Sequence, residues 1–496
     1  MELFGATTLL LIAFIVFILL SITQARKGKS NGNLPPGPTP LPILGNILQL
    51  NGKELFKSLN KLSEKYGPVY TIHIGMDPIV VLCSCDAVKE ALIGNAEDFG
   101  ARGHMPFLDR ISNGGHGVVG SNGEHWKQLR RFSLMTLRNF GMGKRSIEQR
   151  IQEETQFLME ELQKSQAQPL DPTLYFSKAV SNVICSVVFG NRFEYEDKEF
   201  LKLLSDLNEL FKGFSSVWAQ MYNAYPKLMG KIPGPHQKTF IGFERIQEFI
   251  VKSIRKHKEA LDLNDPRDFI DCFLIKMEQE KDNPETEFYM QGLVNTTFDM
   301  FDAGTETVST TLRYGLMILL KHPDVEERIH EEIDKVIGRN RAPSIEDRSH
   351  MPYMDAVIHE IQRFIDLLPL GLPHKVTRDL KFRGFFIPKG TTVFPMLSSV
   401  LRDPKQFSYP NQFNPGHFLD DKGKFSRNDG FMPFSSGKRI CAGEGLARME
   451  LFLFFTTILQ NFSLRSPVGI EEIDLAPLMS GFGNFPRYYK LAFIPR

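Results

Sequence analysis

From Glu124 to about residue 345 the chain is a succession of amphipathic stretches broken by Gly and Pro, with no convincing series of strands. That run confines the fold to a mainly helical body. Strand signals are short and lie outside it. Val69 to Ile74 and Ile79 to Leu82 are β-rich around the turn Gly75-Met76-Asp77-Pro78, and Asp86 is placed to cap a short helix. Residues 377–396 return to short strands around Pro388-Lys389-Gly390. An irregular Phe- and Pro-rich stretch runs from Phe407 to Ser436, and one more apolar helix is predicted over Gly443 to Gln460. Without repeats or low-complexity blocks, residues 43–496 read as one large, mainly α domain with a small β portion drawn from both ends.

Charge and cysteine content narrow the partners. The 59 Lys+Arg and 58 Asp+Glu nearly cancel, which excludes a general nucleic-acid binder, since phosphate binding needs a basic excess. Five cysteines in 496 residues exclude a disulfide scaffold. The 41 Phe against 2 Trp predict a large apolar interior or an apolar pocket lining.

Leu3 to Ile22 holds no charged residue, and about 20 residues of helix span a bilayer core. Arg26, Lys27 and Lys29 follow at once and place that side in the cytoplasm. A cleaved secretory signal is the competing reading, with Thr23-Gln24-Ala25 as its site. It lacks the basic n-region, because the only early charge is Glu2, and its apolar run is too long. Residues 1–25 are therefore expected to be an uncleaved membrane anchor. Residues 26–42, basic and then proline-rich through Leu34 to Pro42, are expected to be a stiff hinge.

Phe434-Ser435-Ser436-Gly437-Lys438-Arg439-Ile440-Cys441-Ala442-Gly443 is a glycine-punctuated loop that runs into a helix, with one cysteine at the junction. Unpaired amides and the dipole at a helix start favour thiolate over thiol. Glycines permit close approach to a flat ligand, and Arg439 offers a cation for a carboxylate. From these residues alone, the loop is a thiolate metal-ligand site with an anionic partner. Cys83, Cys85, Cys185 and Cys272 lack such a setting and read as small buried hydrophobes.

The decapeptide fits Phe-x-x-Gly-x-Arg-x-Cys-x-Gly, the haem signature of the cytochrome P-450 superfamily. The resemblance runs over essentially the whole chain and is strongest to the vertebrate microsomal family 2, with Ser133 to Arg145 similar to its drug-metabolising subfamilies. It implies the cytochrome P-450 fold, with haem b as cofactor and Cys441 as axial iron ligand. Phe434, Gly437 and Gly443 shape that loop. Trp126, Arg130, Arg102, His374 and Arg439 match partners of the haem propionates.

Further roles follow from the same resemblance. Glu360 and Arg363, at i,i+3 on a helix, match a buried pair bracing the haem loop, with His417 standing where the third member is usually arginine. Ala303-Gly304-Thr305-Glu306-Thr307 matches an oxygen groove. There Gly304 allows oxygen near the backbone, Thr307 offers a hydroxyl to it, and Glu306 helps relay protons. Val119, Asp299, Asp302, Ala303, Leu367, Leu368, Leu372 and Phe482 fall on the pocket walls, and most are apolar. Lys127, Arg131, Arg138, Lys144, Lys438 and Arg448 form a basic face for an acidic NADPH–cytochrome P-450 reductase or cytochrome b5.

The expected activity is that of an endoplasmic-reticulum monooxygenase facing the cytosol. It would hydroxylate or epoxidise apolar small molecules such as xenobiotics, steroids or fatty acids, with O2 and NADPH electrons passed by the reductase. A rival is a reductase-independent haem-thiolate isomerase or dehydratase of fatty-acid peroxides. A third is a haem sensor without turnover. Asp302 departs from the resembling members, which carry a neutral residue there. Either it pairs with His104, His116 or a loop amide near residue 115, or it selects substrates with a basic amine or hydroxyl.

Overall fold

A computed structural model describes residues 34–51, 55–141 and 145–496. The expected anchor, the basic residues after it and Lys144 lie outside the described residues. Among the described residues no helix is long and apolar enough to cross a membrane.

The helices that frame the site are α1 (Gly123–Asn139), α2 (Thr173–Val188), α3 (Lys198–Phe214), α4 (Val217–Ala224), α5 (Pro235–Glu259), α6 (Met290–Lys321), α7 (Pro352–Ile365) and α8 (Glu444–Asn461). The 32-residue α6 runs through the middle. At 1.5 Å per residue it is about 48 Å long, enough to cross the whole domain. It is buried on nearly every side because it packs against α2, α5, α7 and α8 at once. A Cβ at Gly304 would meet Ile184 Cγ1 at 2.9 Å, so α6 presses close on α2 at that glycine. The close approach expected at Gly304 is therefore to a neighbouring helix as well as to the cavity.

Beside the helices lies a five-stranded sheet. Its strands are β1 (Val69–Ile74), β2 (Asp77–Leu82), β3 (Ala101–Arg102), β4 (His374–Lys375) and a last strand, Thr392–Pro395. Their order is β1, β2, the last strand, β4, β3. The last strand runs parallel to β2 and antiparallel to β4. The turn at Pro388-Lys389-Gly390 therefore joins no hairpin: the hairpin pairs 380–382 with 385–387, and the chain then crosses to the larger sheet. β3 and β4 pair Arg102 with His374, which sets two distant site residues side by side.

Two local expectations are corrected. Ser84, not Asp86, caps the short helix Cys85–Lys89, its hydroxyl accepting from Ala87 N; Asp86 sits in the first turn. The proline segment is not a free spacer. Thr71 donates to Pro35 O from its hydroxyl (2.8 Å) and to Pro36 O from its amide (2.9 Å), which docks the segment on β1. The phenylalanines serve packing as foreseen, for example Phe132 against Phe269, Phe273 and Phe288.

Candidate active site

Gly437 takes a φ of +71°, open to glycine at little strain, and a Cβ there would lie 1.8 Å from Leu92 O. The loop is thus pressed against the segment ending at Gly94. Cys441 N donates to Phe434 O (3.0 Å), which turns the cysteine inward. Its accessible surface is the wall of an internal cavity. The amides of Gly443 and Glu444, at the start of α8, face its sulfur. Burial still pushes the thiol up from its ordinary value, and those amides and Arg130 offset this only in part. The helix-start effect expected from the sequence is present, but in the bare protein desolvation outweighs it.

Trp126, Arg130, Arg102, Phe434, Arg439 and Gly443 join Cys441 in the wall of this cavity. Their polar atoms are poorly paired. Arg439 is 5% exposed and donates only to uncharged oxygens: Gly100 O (2.8 Å), Ser121 O (2.8 Å) and Asn122 Oδ1 (3.1 Å). Its Nη1 and the indole Nε1 of Trp126 are buried without a partner. The guanidinium lies 3.7 Å from the Trp126 ring centre. Arg130 donates to Ile440 O, and Arg102 donates to Val119 O (3.1 Å). Burial, then Arg102 and Arg130, push Arg439 down to about 8; burial and Arg130 push Arg102 down to about 10. Among the described residues none of the three arginines forms an ion pair. Three repelling, desolvated cations around one void are the complement of a dianionic group. A flat macrocycle with two carboxylates and a metal over Cys441 fits this donor set.

His374 is placed differently from the expectation. Its Nδ1–H donates to Phe99 O (2.6 Å), and burial and Arg102 push the ring down to about 3. A neutral ring then presents Nε2 as acceptor to Arg102 Nη1 (3.3 Å). As placed, His374 braces Arg102 and lies outside the cavity wall.

The opposite wall comes from α6. Asp299, Ala303, Gly304 and Thr307 line it. Thr307 Oγ1 donates to Ala303 O (2.7 Å), a local back-bond. Val119, Leu367, Leu368 and Leu372 also line the cavity, while Phe482 lines a smaller apolar cavity that shares Gly371 with it. Asp299 accepts from Val119 N (2.8 Å); burial pushes it up to about 7, against the pull of that bond and of Arg102. Glu306 and Asp302 stand off the wall, on the flank of α6. Glu306 accepts from Asn208 Nδ2 (3.1 Å) and is pushed up to about 7, chiefly by burial.

Glu360 and Arg363 are wholly buried and joined by two parallel bonds of 2.7 Å. Glu360 also accepts from Asn414 N (2.8 Å) and His417 Nδ1 (3.1 Å). Arg363 donates to the carbonyls of Leu401, Pro410 and Gln412. The pair thus ties α7 to the irregular stretch leading to the cysteine loop.

On the basic face Lys127, Arg131, Arg138 and Lys438 are exposed, with Lys127 paired to Glu124 and Lys438 to Glu97. Arg448 is half-buried, bonded to Glu444 (3.0 Å) and His359 (2.7 Å), and so is committed to the fold. Sequence reasoning missed Asn122, whose side chain accepts from the Arg102 amide (2.6 Å) and from Arg439. It precedes α1 and reads as a helix cap, but it caps nothing.

A family model described as Cytochrome P450 matches residues 35–493. The chain belongs to the cytochrome P450 family. It is 57% identical to cytochrome P450 2C11 of Rattus norvegicus over 477 residues, covering 96% of this chain and 95% of that protein. It is 56% identical to cytochrome P450 2A13 of Homo sapiens over 487 residues, 98% of each. With cytochrome P450 2G1 of Oryctolagus cuniculus the identity is 54% over 496 residues, 100% of each. The chain is accordingly a haem-thiolate monooxygenase that uses O2, apolar substrates and NADPH electrons delivered by a redox partner. The peroxide isomerase reading finds no support among these relatives.

Proposed function

We propose that Cys441 is the axial iron ligand and that Arg102, Trp126, Arg130 and Arg439 hold the haem propionates. The observation that carries this is the convergence on the void in front of Cys441 of three arginines without an ion pair, among them the buried Arg102 and Arg439, with an orphaned Arg439 Nη1 and an orphaned indole N–H. When bound there, the haem supplies dioxygen reduction and oxygen insertion. The chain's own residues do the rest. Thr307 holds a proton at Oγ1 on the α6 wall, one turn from apolar Ala303. Glu306, kept protonatable near neutral pH, stores the next one behind it. Glu360, Arg363 and His417 hold the loop that aims the sulfur.

The substrate is an apolar xenobiotic, steroid or fatty acid, taken against Val119, Ala303, Leu367, Leu368 and Leu372. Lys127, Arg131, Arg138, Lys144 and Lys438 are the face offered to NADPH–cytochrome P-450 reductase or cytochrome b5. Residues 1–25 anchor the protein in the endoplasmic reticulum, with the catalytic domain on the cytosolic side. Exposed Leu41, Leu48, Met76, Val217, Trp218 and Leu228 support a second contact with the membrane. The bond from Tyr225 to Ile43 O ties the amino-terminal segment to the end of α4, and Gly75 lies against Ala224.

Replacing the ligand tests the reading. Cys441→Ser is expected to remove the red-shifted Soret band of the ferrous-carbonyl form and to abolish NADPH-dependent turnover. A serine variant that keeps both excludes Cys441 as the ligand.

A further inference from the structure

Asn122 stands immediately before α1, where a side chain ordinarily accepts from the first-turn amides, and it makes no such bond. Its amide is spent on other segments. Oδ1 accepts from the backbone amide of Arg102 (2.6 Å), and Nδ2 donates to the backbone carbonyl of the same residue (3.3 Å). Arg102 lies on β3, the edge strand of the sheet, whose other side is paired with β4. The asparagine therefore occupies the open edge of β3 as a strand would. The same Oδ1 accepts from Arg439 Nη2 (3.1 Å), in the cysteine loop. The Asn122 carbonyl accepts from Trp126 N (3.3 Å), and the Trp126 ring centre lies 3.7 Å from the Arg439 guanidinium. One exposed residue thus joins β3, α1 and the cysteine loop. Arg102, Trp126 and Arg439 all line the cavity, and Asn122 stands behind them.

The chemistry of this residue matters as much as its reach. Arg439 donates to Gly100 O, Ser121 O and Asn122 Oδ1, and the Arg102 side chain donates to Val119 O and faces His374 Nε2. All of these acceptors are uncharged. Neutral oxygens fix the direction of a guanidinium and leave its charge uncompensated. An aspartate has nearly the same shape as asparagine. Its carboxylate, placed 3.1 Å from Arg439 Nη2, would be within ion-pair distance. It would orient Arg439 equally well and spend the charge. Orientation and free charge therefore come apart here on exchange of one nitrogen for one oxygen.

We infer that Asn122 is a positioning residue that holds Arg102 and Arg439 toward the haem propionates, and that its neutrality keeps both cations available to them. This rests on the reading of these arginines as propionate partners and adds what orients them. A carboxylate at position 122 would compete with the propionates for Arg439. It would also add negative charge near the haem, which favours the ferric form.

The test uses the haem-loaded full chain as wild type, Asn122→Ala, Asn122→Asp and Arg439→Met. Haem loss is followed by transfer to excess apomyoglobin, and the midpoint potential of the iron by reductive titration. Asn122→Ala removes the acceptor and is expected to speed haem loss about threefold with little change in potential. Asn122→Asp keeps both accepted bonds and loses only the 3.3 Å one. It is nevertheless expected to speed haem loss about tenfold and to lower the potential. A residue that only braces the fold gives the reverse order, with alanine the more damaging and aspartate close to wild type in rate and potential. That order, or wild-type behaviour in both variants, overturns this inference alone when Arg439→Met loses haem faster than wild type. If Arg439→Met also keeps its haem as wild type does, the propionate reading falls and this inference falls with it.

Discussion

Two enclosed carboxyl groups, Glu360 wholly buried and Asp302 half-buried, have opposite surroundings on neighbouring helices. Glu360, on α7, accepts four hydrogen bonds, from Arg363 Nε and Nη2, Asn414 N and His417 Nδ1. Asp302, on α6, accepts none from the described residues. Every oxygen lone pair around Glu360 is spent on holding two stretches of chain together, which is what a structural charge must do to offset its desolvation. Asp302 holds nothing together, and burial together with Glu306 and Asp299 raises it well above the ordinary aspartate value. A charge that the fold needs arrives with its partners. One that is enclosed without partners is disfavoured as a charge and keeps its proton. Asp299 stands between the two, with one backbone donor and a nearby arginine.

The contrast can be broken at each of these positions. Glu360→Ala should be the most damaging, because it strands a wholly buried guanidinium; a loss of about 3–5 kcal/mol is expected. Chemical denaturation of the haem-loaded protein measures it. A loss below about 1 kcal/mol would mean that donor count does not separate structural from idle carboxyls.

Asp299 should show its intermediate state through pH. Its folded value, about 7, lies above the ordinary 3.8, so the folded state keeps the proton longer. Stability therefore falls as pH rises from about 4 to about 7 and is level beyond, by roughly 2–4 kcal/mol for this group. Asp299→Asn, which can still accept from Val119 N, should remove that part of the fall. Identical pH slopes for variant and wild type would take Asp299 off the scale.

The smallest effect is expected at His417. Its Nδ1 faces Glu360 Oε2 and its Nε2 faces Ser408 O (2.6 Å), both acceptors, so both bonds form together only in the imidazolium. His417→Phe should cost about 1–2 kcal/mol. His417→Arg should recover most of it by restoring a permanent cation with several donors. If arginine fails where phenylalanine does, the position serves shape, and charge is not its contribution to the brace.

How legible these features were depends on how local their causes are. Cys441, Gly437 and Gly443 sit within one decapeptide, and Glu360 with Arg363 within one helical turn, so their spacing alone placed them together. The helical body was readable because α6 and its neighbours carry their burial as a short-range pattern. What escaped lies in long-range pairing. Nothing near His374 in sequence shows that β4 sets it beside Arg102 and that its N–H is taken by Phe99 O. Asn122 carried a capping signal, but tertiary contacts diverted it to two arginines. Local chemistry marked the turn at Pro388-Lys389-Gly390 without naming the sheet that the next strand joins. Arg448 looked like one more surface cation, since the buried histidine it meets lies far away in the chain. For Asp302 the sequence posed the question; only the complete set of contacts around it showed that its possible partners were taken, His104 by Asp109 and His116 by Tyr289.

Gly437 carries a different consequence. Its α-carbon rests against Leu92 O with no room for a single added carbon. The spacing between the cysteine loop and the sheet side of the molecule is thus set by two backbones in contact, with no side chain whose rotamer could absorb an error. Such a joint has no graded tolerance. Across a library of all amino acids at this site, survival should be all or nothing, with glycine alone retained. Lys438, the adjacent exposed residue, should accept nearly any replacement. A sharp edge of that kind between neighbouring positions marks where the molecule fixes its cysteine loop by backbone gauge rather than by side-chain fit.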